Sequence, residues 1–132
     1  MHWTDAPGGG FTAPGTRTWL PLGDVVGRNV DDQRRDPSST LRFVRDLIAI
    51  RRERPDLRSG AYQPLPAPAG AWSWRRGRDT TIALNMSEAP ITVPAILGAI
   101  VIGTIRSRGG ERVDGGLALS PWEGAVCSSA ST

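Results

Sequence analysis

Lysine is absent from this 132-residue chain: all 16 basic residues are arginine. Set against 13 acidic residues they leave a net charge of only +3. The pI near 10.4 therefore overstates the basicity, because arginine does not titrate below about pH 12 and few other groups offset a small excess. The arginines are scattered, most of them among aspartates, which argues against nucleic acid as a partner. Cysteine occurs once, at Cys127, so no internal disulfide can form and a reducing, cytoplasmic setting is expected. The single histidine, His2, has no cysteine or second histidine near it, so neither a metal site nor a cofactor is expected. Long apolar runs are also lacking. The longest, residues 95–105, is broken by Gly98 and Gly103 and falls short of the roughly 20 residues that span a bilayer, so it reads as a core strand. The first ten residues carry no basic segment followed by an apolar one, so they do not read as a signal peptide. The chain is too short for a complete barrel enzyme, which takes about 250 residues, yet long enough for a self-sufficient core.

What is present falls into three stretches. Residues 1–35 are rich in glycine and proline, with Trp3, Phe11, Trp19 and Leu20 set between chain breakers such as Gly8-Gly9-Gly10. They read as a long irregular segment whose aromatic groups need something to pack on. A helix is predicted over 38–53. Asp36, Ser38 and Ser39 offer caps, Leu41, Val44, Leu47 and Ile48 recur at helical spacing, Phe43 and Ile50 widen the stripe, and Pro55 ends it. From Ala61 onward short β segments follow: the alternating Trp72-Ser73-Trp74 with a turn at Gly77, then 80–86, 91–93, 99–105, 113–119 and 122–126. Residues from Cys127 onward read as a small polar tail.

Catalytic patterns are not apparent. A glycosidase needs two facing carboxylates roughly 5–10 Å apart, but the acidic residues fit plainer roles. Asp5 and Asp24 suit turns, Asp36 a helix cap, Glu53 an exposed last turn and Glu123 a turn or surface position. No serine stands in a nucleophile-elbow pattern, and Gly8-Gly9-Gly10 neither follows a strand nor opens a helix, so it is no phosphate loop. Trp72 and Trp74 share one strand face, which allows a sugar-stacking platform, although such a pair is more often core.

The order of short motifs resembles the C-terminal end of glycoside hydrolase family 13, the alpha-amylase family, in its alpha-glucosidase, oligo-1,6-glucosidase and trehalose synthase branch. Met1-His2-Trp3 stands for a Met-x-Trp motif, with Gly10-Phe11-Thr12 after it, then Trp19-Leu20-Pro21 and Asn29-Val30-Asp31-Asp32-Gln33. Asp36-Pro37-Ser38-Ser39-Thr40-Leu41 and Leu47-Ile48-Ala49-Ile50-Arg51 match the helix that follows. Gly60-Ala61-Tyr62, Leu84-Asn85-Met86-Ser87 and Leu119-Ser120-Pro121-Trp122-Glu123 complete the series. Residues 106–118 match poorly.

The resemblance implies an α+β fragment: residues 1–57 as the loop and last helix of a β/α barrel, residues 58–127 as a C-terminal antiparallel β domain, and residues 128–132 as a disordered tail. It implies a retaining alpha-glucosidase-like parent in carbohydrate metabolism whose catalytic aspartate, glutamate and second aspartate lie upstream. The chain would then be inactive by itself, hold no catalytic residue, and meet an alpha-glucoside only as part of the full enzyme, packed on the barrel. The motif's arginine and proline before Met1 are absent, so the reading frame is expected to begin inside a longer gene. Trp3, Asn29 and Gln33 are the residues expected at the rim of the substrate cleft. The competing reading is a free-standing, non-catalytic carbohydrate-binding β module built on Trp72 and Trp74.

Overall fold

Alternating β-branched and small residues over the second half of the chain build one six-stranded antiparallel sheet. In the computed structural model, which describes residues 2–129, its strands are β1 (Tyr62–Leu65), β2 (Ala71–Arg76), β3 (Thr80–Asn85), β4 (Ile91–Gly103), β5 (Arg112–Leu119) and β6 (Gly124–Ser128). The spatial order is β1-β2-β3-β6-β4-β5. β6, the last strand in sequence, is inserted between β3 and β4 and is buried along its whole length, as a central strand covered on both faces must be. One face carries the aliphatic core: Val93, Ile96, Ile100, Leu117, Leu119 and their neighbours, closed by Ala83, Ala125 and Cys127.

β4 joins two segments that the sequence pattern separates. Its pairing with β5 shifts register between Pro94 and Leu97, where Ala95 takes φ 59°, and its pairing with β6 shifts again between Ile100 and Ile102. Such bulges bend a strand and strengthen its twist, which lets one 13-residue strand pair with two neighbours. The β2–β3 hairpin turns at Gly77, φ 60°, and any Cβ there would run into the Asp56 carboxylate. That carboxylate accepts a hydrogen bond from the Asp79 N–H at 2.9 Å and so ties the turn to the preceding helix.

Three helices precede the sheet: α1 (Val30–Arg35), α2 (Thr40–Glu53) and α3 (Pro55–Ser59). α1 corrects the expectation of an irregular first 35 residues. It is held by its cap, Asn29, and by charge order, with Asp31 and Asp32 in the first turn and Arg34 and Arg35 in the last. α2 falls where the apolar spacing predicts. Its cap is Ser39, whose Oγ accepts from the Arg42 N–H at 3.3 Å. Asp36 instead accepts from the N–H and Oγ of Ser38, and those bonds hold its carboxyl below the usual carboxylate range. No residue of α2 is buried, and Val44 and Ile48 are each 45% exposed. Pro55 both stops α2 and opens α3 as its first residue. The chain divides into two compact units, residues 1–48 and 49–132.

The end of the chain also departs from expectation. Cys127 and Ser128, read as the start of a polar tail, are buried residues of β6; residues 130–132 lie outside those described. Burial pushes the Cys127 thiol up to about 11. An unfolded thiol ionises near 8.5, so the burial stabilises the fold fully below that pH, and the contribution is lost as pH rises toward 11. Maleimide labelling at pH 7 should therefore be slow in buffer and fast in denaturing urea. Rapid native labelling would contradict the central placement of β6.

Candidate functional site

The triglycine turn organises the first unit. Gly8, Gly9 and Gly10 all have positive φ, and Cβ atoms at Gly9 and Gly10 would lie 2.8 Å from the His2 ring and 2.9 Å from the Trp3 Cβ. The tight turn brings the Gly9 carbonyl to the Trp3 N–H at 2.8 Å and leaves Phe11 beside Trp3, ring centroids 6.4 Å apart. His2 and Trp3 then lie alongside the start of α1: the Val30 N–H donates to the His2 carbonyl and the Asp31 N–H to the Trp3 carbonyl.

The three residues expected at a cleft rim are thus brought together within this unit, in different states. Trp3 is half-exposed. Asn29 is fully buried: its Oδ1 accepts from the Asp32 N–H at 2.8 Å, and its Nδ2 donates to the Val25 carbonyl at 2.9 Å and to Asp32 Oδ2 at 2.5 Å. Gln33 Oε1 accepts from the Leu41 N–H at 3.1 Å, while its carbonyl accepts from Ser39 Oγ at 2.6 Å. Asn29 and Gln33 therefore fix where α1 and α2 begin. A cleft of about 590 Å³ lies beside them, lined among others by Arg28, Gln33, Asp36, Leu41 and Val44. Asp36 is the carboxylate on its wall, and its oxygen is held by Ser38.

Two further groups of carboxylates occur in the second unit, and both fasten the backbone. Asp56 and Asp79 line a pocket of about 290 Å³, where Asp56 holds the hairpin turn and Asp79 Oδ1 accepts from Ser129 Oγ. Glu123 corrects the expectation of a turn or surface carboxylate, since its side chain is only 1% exposed. Arg108 Nη1 donates to Glu123 Oε1 at 2.6 Å and to the Ala118 carbonyl at 2.9 Å. Its Nε and Nη2 form a two-pronged pair with Glu111, both at 2.7 Å, and the Ser120 N–H donates to Glu123 Oε2 at 2.7 Å. The bond to Arg108 holds the Glu111 carboxyl below its usual range, and the same bond raises the arginine pKa. This clasp ties the β4–β5 connection to the β5–β6 turn. Sequence reasoning missed it, although Glu123 is the one carboxylate between the apolar strands at 117–119 and 125–127.

Of the tryptophan pair, Trp72 departs from the core reading, while Trp74 is half-buried. Trp72 and Trp74 have ring centroids 4.6 Å apart at 41°, and Trp72 is 47% exposed. Among the described residues no group of three or more His, Cys, Asp or Glu could hold a metal, and no helix is long and apolar enough to cross a membrane.

Comparison with known proteins supplies the frame in which these two units belong. No family model matches the chain. Over 93 residues, 67% of this chain and 16% of the relative, it is 34% identical to the trehalose-6-phosphate hydrolase of Escherichia coli K12. The solved isomaltulose synthase of Klebsiella sp. LX3 superposes with a TM-score of 0.84 at 24% identity, over 96% of this chain and 24% of that one. The trehalulose synthase of Pseudomonas mesoacidophila MX-45 does so with a TM-score of 0.83 at 23% identity, with the same coverage. The chain thus spans 16% of the length of the curated relative and 24% of the solved ones.

The fold defines the class: a few helices followed by the C-terminal antiparallel β domain that accompanies a catalytic barrel. In sequence and fold the chain corresponds to the C-terminal portion of a glycoside hydrolase family 13 enzyme, the alpha-amylase family, in its alpha-glucosidase branch.

Proposed function

We propose that the chain is a structural portion of a retaining enzyme acting on alpha-glucosides in the cytoplasm. In this reading residues 58–127 fold by themselves, and residues 1–57 present one half of an interface to a catalytic barrel. The observation that carries the reading is the uncovered apolar surface of the first part. Trp19 is 96% exposed, Val26 70%, Leu20 66% and Phe11 56%, and α2 buries none of its stripe. Burying one such side chain fully contributes about 1.5–3 kcal/mol, so several of them on one 48-residue unit make a surface that a larger body has to cover.

The carboxylates support the same reading. Hydrolysis with retention needs a nucleophile and a general acid about 5–5.5 Å apart across a sugar site. Here Glu123 is neutralised by Arg108, Asp56 holds the hairpin backbone, Asp79 accepts from the Ser129 hydroxyl, and Asp36 faces the larger cleft without a second carboxylate on its wall. Trp3, Asn29 and Gln33 keep the role of rim residues: Trp3 through its half-exposed ring, Asn29 and Gln33 by positioning the start of α1 and α2. The whole enzyme's substrate would be a small alpha-glucosyl oligosaccharide, in line with a relative that acts on trehalose 6-phosphate.

The test is glucose release from maltose, isomaltose and an aryl alpha-glucoside by the purified chain. Turnover at the level of a mock preparation is expected, unchanged by Asp5→Asn, Asp24→Asn or Glu123→Gln. Turnover abolished by one of those substitutions would show that the chain holds a catalytic site of its own.

A further inference from the structure

An open sheet has two edges, and the two are not alike. β1 is short and carries Pro64, which has no N–H to offer a further strand. β5 runs through eight residues without a proline, and among the described residues no strand pairs with its outer side. An edge left open in this way is a template for another strand.

The hydrogen bonds decide which groups face outward. The Ile100 N–H donates to the Glu111 carbonyl at 2.9 Å, so Glu111 turns its backbone toward β4, and along an antiparallel pair such residues alternate. Val113, opposite Gly98, therefore also faces β4, while Arg112 and Asp114 turn their N–H and C=O groups to the free edge. The same alternation turns Ala118 outward, and its carbonyl is taken by Arg108 at 2.9 Å. Arg108 thus closes the far end of the edge and leaves residues 112–116 open. Val113 belongs to the aliphatic core, so the side chains of Arg112 and Asp114 share the opposite face, and both residues are exposed.

We propose that two copies of the chain pair through β5, antiparallel about a two-fold axis at Val113. This register sets Arg112 of each copy opposite Asp114 of the other, and both pairs exchange their outward N–H and C=O bonds. An axis at Arg112 or at Asp114 would set like charges directly opposite, which is destabilising. An axis at Gly115 would set Arg112 opposite Ala118, whose carbonyl Arg108 already holds. The charges therefore select one register on a strand whose exposed edge would otherwise slip. Like charges remain diagonal neighbours at ~7–8 Å, but the opposite charges face each other at ~5.5 Å between Cα atoms, so attraction wins. The occupant follows from the same pattern. A strand with arginine and aspartate two residues apart is complemented, antiparallel, by aspartate and arginine two residues apart, and β5 is itself such a strand. The inference stands apart from the structural role proposed above, since it makes no use of residues 1–57.

Sedimentation of the whole chain over a concentration series, with hydrogen exchange at both ends of the series, tests it. A monomer–dimer equilibrium with Kd on the order of 0.1 mM is expected, as suits a small polar interface, and added salt should weaken it. The amides of Arg112 and Asp114 should gain protection as the dimer forms, while those of β1 do not. Asp114→Arg and Arg112→Asp should each weaken the dimer at least ~10-fold, because either one turns both cross-pairs repulsive, and the two exchanges together should restore it. Were a single variant to unfold, the restored double exchange and the amide protection in the parent chain would decide. No dimer at about 1 mM, association indifferent to these charges, a double exchange no better than the single ones, or protection of β1 in place of β5 would each overturn the proposal.

Discussion

Arg108→Ala is expected to cost about 3–5 kcal/mol of unfolding free energy, because it leaves the Glu123 carboxylate buried without its countercharge. Glu111→Ala should cost far less, since Glu111 stands at the half-exposed end of the same clasp. The contrast matters because both carboxylates bond the same guanidinium at nearly equal distances, 2.6 and 2.7 Å. Glu111 takes two bonds from Arg108 and Glu123 only one, so it is burial that makes Glu123 the costlier one to leave unpaired. The direction with pH follows from Glu111, whose carboxyl is held below its usual range by Arg108. Its contribution is present above the ordinary carboxylate pKa and is lost as pH falls through the lowered one. Urea midpoints at pH 7 for the two variants, and at falling pH for the parent chain, measure each part. An Arg108→Ala chain as stable as the parent would remove the clasp from the account.

Gly98→Ala is expected to be comparably damaging, by about 2–5 kcal/mol. Gly98 has φ 116°, and a Cβ there would meet the Ser128 carbonyl oxygen and carbon, which are backbone atoms of the central strand β6. The left-handed conformation costs a residue with a Cβ roughly 1–2 kcal/mol, and forcing extra volume into a packed site typically adds 1–3. Thermal or urea unfolding of Gly98→Ala beside Gly110→Ala checks it. Gly110 also has positive φ, 85°, but nothing lies within 4 Å of its Cβ position, so that variant should show the backbone strain alone. Equal losses in the two would mean that β4 and β6 do not approach as described.

The glycines also explain which parts of the fold could be read from the sequence. α2 was legible because its apolar residues repeat at helical spacing, and the β2–β3 hairpin because Trp72-Ser73-Trp74 alternates into Gly77. β4 was not, because the register shift at Ala95 interrupts the alternation and places Pro94 and Gly98 inside a strand. α1 has six residues and one buried apolar group, Val30, too little for periodicity to register; local capping by Asn29 makes it. β6 begins later than predicted because Trp122 is not a strand residue. It occupies the positive-φ position of a turn after Pro121, closed by the Glu123 N–H to the Ser120 carbonyl, and that leaves Cys127 and Ser128 inside the strand.

The candidate site was legible to a different depth. Trp3, Asn29 and Gln33 came from the order of motifs, and the structure adds how they are joined, through the triglycine turn and the start of α1. No local pattern could announce the Arg108–Glu123 pair, whose members stand 15 residues apart with the whole of β5 between them.

Hydrogen exchange on the whole chain, run at a concentration where sedimentation shows a monomer, tests most directly the claim that a self-sufficient sheet carries one half of an interface. The amides of β3 and β6, at the centre of the sheet, should exchange only through global unfolding, whereas those of residues 11–28, which carry the most exposed apolar groups, should exchange at rates near those of an unstructured peptide. Protection of residues 11–28 equal to that of β3 and β6 in a monomeric sample would contradict the account, since it would mean that this segment needs no further body to hold it.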